Sequence, residues 1–292
     1  MEIEPLYSCF LRSSGVNTDS RTLQPGQLFW ALKGPNFNGN SFARKALEMG
    51  AAFVVVDEDV LPGEKRALKV SDSLIQLQKL AHYHRLIWGK EIIGVCGSNG
   101  KTTTKELIYR VLSTEKSVFA TPGNLNNHIG VPLSLLQLKD EHEMAIIEMG
   151  ANHRKEIEDL CYIAEPNSGL ITNIGKDHLE GFGNIEGCAK ANGELFEFLK
   201  NHLGIGFINT SDEWNLKLKS KLSRTFTFPS ATDDFQCEAV AGSFFLRIKV
   251  PGLDEVETKL TGAYNFNNLA TALAVGKYYG INSEAALKAV AE

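Results

Sequence analysis

The sequence predicts an α/β protein in two parts. A small N-terminal α/β domain covers residues 1–85; a central P-loop domain over 86–292 is built on a parallel sheet and carries a small antiparallel sheet. Three observations carry this prediction. The 292 residues exceed one minimal domain, since domains run to roughly 100–200 residues. From Glu91 onward, short apolar strands alternate with amphipathic helices, the rhythm of a parallel sheet covered on both faces. Finally, GVCGSNGKTTTKE at 94–106 lies between an apolar strand and a helix, where a glycine-rich anion loop belongs.

In the first domain QLFWALKG reads as a strand, FARKALEMGA as a helix closed by Gly50, and AFVVVDE as a second strand. ALKV follows as a short strand. The helix SDSLIQLQKLAHYHRLIW takes Ser71 or Asp72 as its N-cap, with Leu74, Leu77 and Ala81 on one face. A change of pattern near residue 85 marks the boundary. Beyond it come three strand–loop–helix units: EIIGVCG with KTTTKELIYRVL, MAIIEMG with RKEIEDLCYI, and SGLITNIG with IEGCAKANGELFEFL. GIGFINT is a further strand. Residues 224–260, including FQCEAVA and FFLRIKV, switch to the short alternating segments of an antiparallel sheet. NFNNLATALAVGKYYG and SEAALKAVAE close the chain as helices.

Composition narrows the function. With 43% hydrophobic and 22% charged residues the chain can bury a sizeable core. A net charge of −5 weighs against a general nucleic-acid binder. A local anion site needs no such excess, because backbone amides suffice. No apolar run approaches the roughly 18 residues of a membrane span, and MEIEPLYSCF lacks the basic start of a signal peptide. Cys9, Cys96, Cys161, Cys188 and Cys237 are scattered, without a CxxC pair, and read as reduced thiols. A cytoplasmic monomer is the expectation.

The chemistry concentrates in the loop at 94–106. Gly97 and Gly100, with Ser98 and Asn99 between them, permit the tight turns that bring backbone N–H groups round a phosphate. Lys101 supplies positive charge, and a Thr102 or Thr103 hydroxyl can reach Mg²⁺. The helix that follows aims its positive end at the same point. The strict GxxxxGK[ST] pattern fails, because its first glycine falls on Val95; what stands here is GxxGKT. The plainer alternative is a helix-capping glycine loop with a surface lysine.

These residues resemble the nucleotide loop of the Mur ligases, the ATP-dependent amide-forming enzymes of peptidoglycan precursor synthesis. GNLNNHIGVPLSLL at 123–136, IIEMGANHRKEI at 146–157, ITNIGKDHLEGFG at 171–183 and GAYNFNNLATALA at 262–274 follow in that family's order. TDSRTLQPGQLFWALKG and FNGNSF look like its UDP-binding domain. NLNN and EMGANH are most similar to the branch that joins D-alanyl-D-alanine to UDP-N-acetylmuramoyl-tripeptide. The resemblance implies that a γ-phosphoryl group passes from ATP to a substrate carboxylate and that an amine then attacks the acyl phosphate. Such chemistry needs charge neutralisation and alignment more than covalent help.

Roles follow from the same resemblance. Lys101 would balance the β- and γ-phosphates while Thr102 and Thr103 bring Mg²⁺. Glu148, at the end of the strand MAIIEMG, emerges at the sheet's carboxyl edge and would ligate the ATP-bound Mg²⁺, as oxygen ligation suits that ion; otherwise it caps the next helix. His178 would ligate a second Mg²⁺ beside the acceptor carboxylate, although the residues alone favour a polar loop histidine. His153 is a substrate contact or helix-start residue. Asn124, Asn126 and Asn127, with His128, suit a sugar-peptide rich in carbonyl and N–H groups, or else form a plain turn cluster. Asn265 and Asn268 would stand near adenine and ribose, with a helix cap as the alternative for Asn265. Ser20, Arg21, Asn38 and Gly39 match the UDP-binding signature, but Asn38, Gly39 and Asn40 stand where the family commonly has Asp-Gly-His.

Two further departures matter. Full-length relatives carry a third α/β domain that holds the incoming amine, and the chain stops where that domain would begin; a fragment that binds but ligates poorly is expected. Asn192 occupies the place of a lysine that the family carbamylates into a metal ligand, and Lys190 points about 200° away round the helix. Two other readings compete with the ligase. One is a folylpolyglutamate synthetase-like ligase, which the UDP-type first domain opposes. The other is a non-catalytic nucleotide- or UDP-sugar-binding module, which Asn192 favours and Lys101, Glu148 and His178 oppose.

Overall fold

Residues 2–175 and 179–291 are described by a computed structural model. Contacts divide the chain into two compact units, Met1–Gly89 with Pro132–Leu138, and Lys90–Val131 with Lys139–Glu292. The division falls just past the helix Ser73–Trp88, where Gly89 takes the left-handed conformation at φ 65° and stops it.

The first unit is built on a four-stranded parallel sheet in the order Val16–Asn17, Leu28–Trp30, Phe53–Val56, Ala67–Lys69. Phe29, Val54 and Val56 pack with Ala43, Ala46 and Leu47 of the helix Ala43–Glu48. Asp72 caps Ser73–Trp88 by accepting from Ile75 N at 2.8 Å, and Leu77, Leu80 and Ala81 line its buried face while Leu74 is half-buried. The strand expected from QLFWALKG is shorter than predicted. It leaves the sheet after Trp30 and re-forms as a hairpin, Lys33–Gly34 with Phe37–Asn38. Gly39 causes the break: its N–H donates to Leu32 O at 2.8 Å, so close that a Cβ there would lie 2.5 Å from that oxygen. The helix Ile3–Leu11 escaped the sequence reading. Its apolar contribution is a single spaced set, Leu6, Cys9 and Phe10, too short to register as a period.

The second unit holds a six-stranded, wholly parallel sheet. Its order is Thr225–Phe228, Ile205–Asn209, Ser168–Ile171, Glu91–Cys96, Met144–Glu148, Val118–Ala120. Leu107, Ile108 and Val111 of the helix Lys101–Leu112 share one core with Leu269, Ala270 and Leu273 of the helix Asn265–Tyr278. Burying each large aliphatic there contributes about 1.5–3 kcal/mol. Two expectations need correction. Thr225–Phe228, expected in the antiparallel sheet, pairs parallel with Ile205–Asn209; an alternating TFTF run fits either partner, and the choice is made by a non-local edge. The antiparallel sheet is only Glu238–Val240, Arg247–Lys249 and Val256–Glu257. IEGCAKANGELFEFL is two helices, Ile185–Asn192 and Glu194–Asn201, parted at Gly193.

Register places the site. Val95 pairs with Glu148 and Cys96 with Ile171, so three carboxyl ends lie side by side. The loops that leave them must converge, as ligand loops do in open α/β sheets.

Candidate functional site

The loop after Cys96 is shaped by two glycines with positive φ, Gly97 at 129° and Gly100 at 78°. Each also stands where a side chain cannot. A Cβ on Gly97 would lie 2.2 Å from Thr172 Oγ1, and one on Gly100 2.8 Å from Asn268 Oδ1. The neighbouring loop braces this turn. Ser98 N donates to Asn173 O at 2.9 Å, Asn99 N donates to Asn173 Oδ1 at 3.1 Å, and Thr172 Oγ1 and Asn173 Nδ2 donate to Asn99 O. Gly175 N donates to Ser98 Oγ at 2.9 Å. Thr172 and Asn173 have no task of their own in the sequence; their signal is the run ITNIG, where the third strand of the set ends.

Lys101 folds back over the loop, its Nζ donating to Gly97 O at 2.7 Å and Ser98 O at 3.0 Å. The helix it begins has no side-chain cap, and its first internal bond comes from Thr104 N to Gly100 O. The leading N–H groups of such a helix lack partners within it and stand beside the lysine at the loop, an arrangement suited to phosphate.

Glu148 reaches this point from the adjacent strand. Its carboxylate is 1% exposed, accepting from Thr102 Oγ1 at 3.0 Å and from Asn126 Nδ2 at 2.9 Å. The expected helix-cap alternative for Glu148 is not realised in these bonds. Lys105 was not assigned a task from the sequence. Fully buried, it lies 3.7 Å from Glu148 Oε2 and donates to Thr121 O at 2.6 Å and Gly123 O at 3.1 Å. A lysine four residues after Lys101 was visible in the motif, but its burial was not.

The donor set fits Mg²⁺. Carboxylate and hydroxyl oxygens of Glu148 and Thr102 lie together beside the phosphate loop, and such oxygens are this ion's ligands. Among the described residues no group of three or more His, Cys, Asp or Glu side chains is gathered as a metal site. The remaining oxygens would come from nucleotide and water, as is usual for Mg²⁺. Thr103 stands in the first turn of the same helix, half-buried. His178 lies outside the described residues.

The other candidates divide. Asn126 joins Glu148, and Gly150 N donates to Asn126 O at 2.7 Å, pinning the loop to the strand end. Asn127 turns to its own backbone, Oδ1 accepting from Ile129 N and Gly130 N, while Asn124 is exposed. Asn268 Oδ1 accepts from Thr104 Oγ1 at 3.1 Å and its Nδ2 donates to Asn265 Oδ1 at 2.9 Å. Asn265 Nδ2 donates to Thr261 O. This pair thus braces the phosphate helix from behind. His153 pairs with Glu156 on the surface. Asn192 is buried and donates to Cys188 O at 2.9 Å; Cys96 Sγ donates to Asn192 O at 3.6 Å. Glu194 is engaged elsewhere, accepting from Lys155 N and Glu158 N at the start of another helix. Burial outweighs those bonds and raises its carboxyl above the ordinary range.

In the first unit a cavity of about 480 Å³ is lined by Asp19, Ser20, Arg21, Phe29, Phe37, Gly39 and Phe42 among others. Phe37 and Phe42 are exposed there, at 57% and 43%, and could stack on a flat ring. Arg21 pairs with Asp19 at 2.6 Å, and its hydrogen bonds hold the Asp19 carboxyl at about 2. Asn38 and Asn40 serve the frame. Asn38 Nδ2 donates to Glu58, and Asn40 Nδ2 donates to Asn38 Oδ1 and Asp57 Oδ1, each at 2.8 Å.

Residues 95–276 match the Mur ligase middle domain and residues 12–84 the catalytic domain of the Mur ligase family. The UDP-N-acetylmuramoyl-tripeptide–D-alanyl-D-alanine ligase of Bacillus subtilis (strain 168) is 40% identical over 282 residues, covering 94% of this chain and 60% of that protein. The MurF crystal structure from Acinetobacter baumannii superposes with a TM-score of 0.86 at 28% identity, over 99% of this chain and 67% of that one. MurF ligase from Thermotoga maritima in complex with ADP gives 0.82 at 28% identity, over 97% and 66%. The chain spans about 60% of the length of the curated relatives it matches.

Proposed function

The chain belongs to the Mur ligase family, and from that premise we propose that it is the nucleotide- and UDP-sugar-binding part of an ATP-dependent ligase joining D-alanyl-D-alanine to UDP-N-acetylmuramoyl-tripeptide. One observation carries the reading: the phosphate loop 97–103 abuts a buried Glu148 carboxylate already bonded to Thr102 and Asn126. The three relatives and neighbours named for this activity or as MurF support it.

In this reading ATP phosphates replace the carbonyls of Gly97 and Ser98 as partners of Lys101. A tripeptide carboxylate oxygen then attacks the γ-phosphorus, the bond to the bridging oxygen breaks, and ADP leaves. The amine of D-alanyl-D-alanine attacks the acyl carbon, phosphate departs, and the amine loses its proton. Glu148, with Thr102 and Thr103, would hold Mg²⁺, which would neutralise phosphate charge when bound. Lys101 and the loop amides hold the phosphoryl group in line. Asn265 and Asn268 keep the loop and its helix together beneath the nucleotide, and Asn124, Asn126 and Asn127 present amides to the acceptor peptide. Ser20, Arg21 and Gly39, with the exposed phenylalanines, form the uridine diphosphate end, which Asn38 braces through Glu58 and Asn40. His178 is assigned to a second Mg²⁺ by resemblance alone. The five buried free thiols suit a reducing compartment such as the cytoplasm, and we take the chain to act there as a monomer.

Lys101→Ala tests the reading. Calorimetry should find Mg·ATP binding weakened at least about 100-fold, since charge-assisted bonds to phosphate contribute roughly 1.5–3 kcal/mol each. Thermal unfolding of the unliganded variant should fall only slightly. Unaltered ATP affinity would overturn the assignment.

A further inference from the structure

We propose that Lys105 is a positioning residue that couples the nucleotide site to the asparagine loop at 121–127, an inference that rests on the nucleotide reading of the phosphate loop. A wholly buried ammonium is costly unless its hydrogens are matched. Here the match is specific: two donations go to main-chain carbonyls, Thr121 O at 2.6 Å and Gly123 O at 3.1 Å. Two carboxylates balance the charge, Glu106 at 3.1 Å and Glu148 at 3.7 Å. Lys101 and Lys105 are four apart on one helix and so share a face. The first cation holds the carbonyls of the phosphate loop, and the second holds those of the loop that carries Asn126.

Glu148 joins the two. Its Oε2 takes the Thr102 hydroxyl and faces Lys105, while Oε1 takes Asn126 Nδ2. A cation that displaces Thr102 from Oε2 meets the Lys105 charge at close range, and the change reaches the loop through Thr121 O and Gly123 O. Coupling requires a contact that differs between the liganded and unliganded states, and this shared oxygen provides one. A lysine that served packing alone would not need to be charged, nor to stand between two loops and a carboxylate.

The test compares the 292-residue chain with Lys105→Met and Lys105→Arg, each with and without Mg·ATP. Hydrogen exchange is read over residues 121–127, and the Mg²⁺ midpoint for ATP binding by calorimetry. In the parent chain Mg·ATP should slow loop exchange by about fivefold or more. Lys105→Met should exchange about tenfold faster there, with no response to nucleotide. Its Mg²⁺ midpoint should fall severalfold, because a like charge has left Glu148. Lys105→Arg should restore both behaviours in part. Loosening and metal affinity thus move in opposite senses, which a structural lesion would not produce. A Met variant whose loop still answers nucleotide, or whose midpoint rises, overturns the proposal. If the parent itself fails to bind Mg·ATP, the nucleotide reading falls. The unliganded proteins then decide the loop contact, and equal exchange in parent and Met variant removes it. Should Lys105→Met lose cooperative unfolding, Lys105→Gln takes its place under the same criteria.

Discussion

Asn192 turns its amide inward on its own helix, to Cys188 O, at a position touching the end of the phosphate-loop strand through Cys96. A neutral amide there leaves any neighbouring cation without the charge that a carbamylated lysine would bring. At an effective dielectric near 20, a unit charge ~4 Å away is worth of order 4 kcal/mol before desolvation is subtracted. Glu194 cannot substitute without giving up its bonds to Lys155 N and Glu158 N. In a protein of the relatives' length, Asn192→Lys should therefore lower the Mg²⁺ requirement of ligation about tenfold or more in bicarbonate, a shift of ~1.4 kcal/mol. Carbon-13-labelled bicarbonate should give a carbamate resonance absent from the parent. A lysine variant with neither change would show the charge argument to be wrong. At this scale Lys101, Glu148 and Asn126 were legible, because a glycine loop, a strand end and an amide loop each leave local patterns. Lys105 and Thr172 were not, since their tasks depend on burial and on a neighbouring strand.

Elements are joined by small polar clasps, and Asp57 is the clearest. It follows the strand Phe53–Val56 and accepts from Asn40 Nδ2 at 2.8 Å and from the Ser73 hydroxyl at 3.2 Å, with Lys33 Nζ at 3.0 Å. The clasp joins a hairpin, a turn and the start of the helix Ser73–Trp88. Burial pushes the Asp57 carboxyl up, but bonds from Lys33, Asn40 and Ser73 together hold it below its ordinary 3.8. A depressed folded value means that the unfolded chain binds the proton more readily. The stabilisation is therefore present above pH 3.8 and is lost as pH falls through the folded value. Asp57→Asn should cost about 1–3 kcal/mol at neutral pH and flatten this acid limb in thermal melts. An unchanged acid limb would place the dependence elsewhere. The clasp also explains Asn40, whose departure from the family pattern is an internal brace, 1% exposed. Long capped helices and the central strands were legible from period and punctuation. The helix Ile3–Leu11 and the edge strand Thr225–Phe228 were not, because a short helix and an edge strand are decided by what they pack against.

Across the whole molecule, the proposed uridine diphosphate end and the proposed nucleotide site fall in different compact units, and substitutions at these two places should act additively. Arg21→Ala, at the cavity with Phe37 and Phe42, should weaken binding of the UDP-linked muramoyl peptide about tenfold. It should leave the Kd for Mg·ATP within about twofold. The exposed Asp19 partner makes this a binding effect rather than a fold effect. Ligation makes a further demand. Acyl phosphates are lost to water unless the nucleophile is aligned as the intermediate forms, and enzymes of this kind meet that need by closing over the substrates. The 292 residues match about 60% of the length of their curated relatives, and the resemblance places the amine-holding domain in the remainder. The chain as it stands should therefore bind Mg·ATP and UDP-sugar yet form negligible amide with D-alanyl-D-alanine. Phosphate-release and product assays against a protein of the relatives' length decide the matter: comparable turnover by the 292 residues alone would mean that alignment of the amine is achieved within these two units, and the division of labour proposed here would fail.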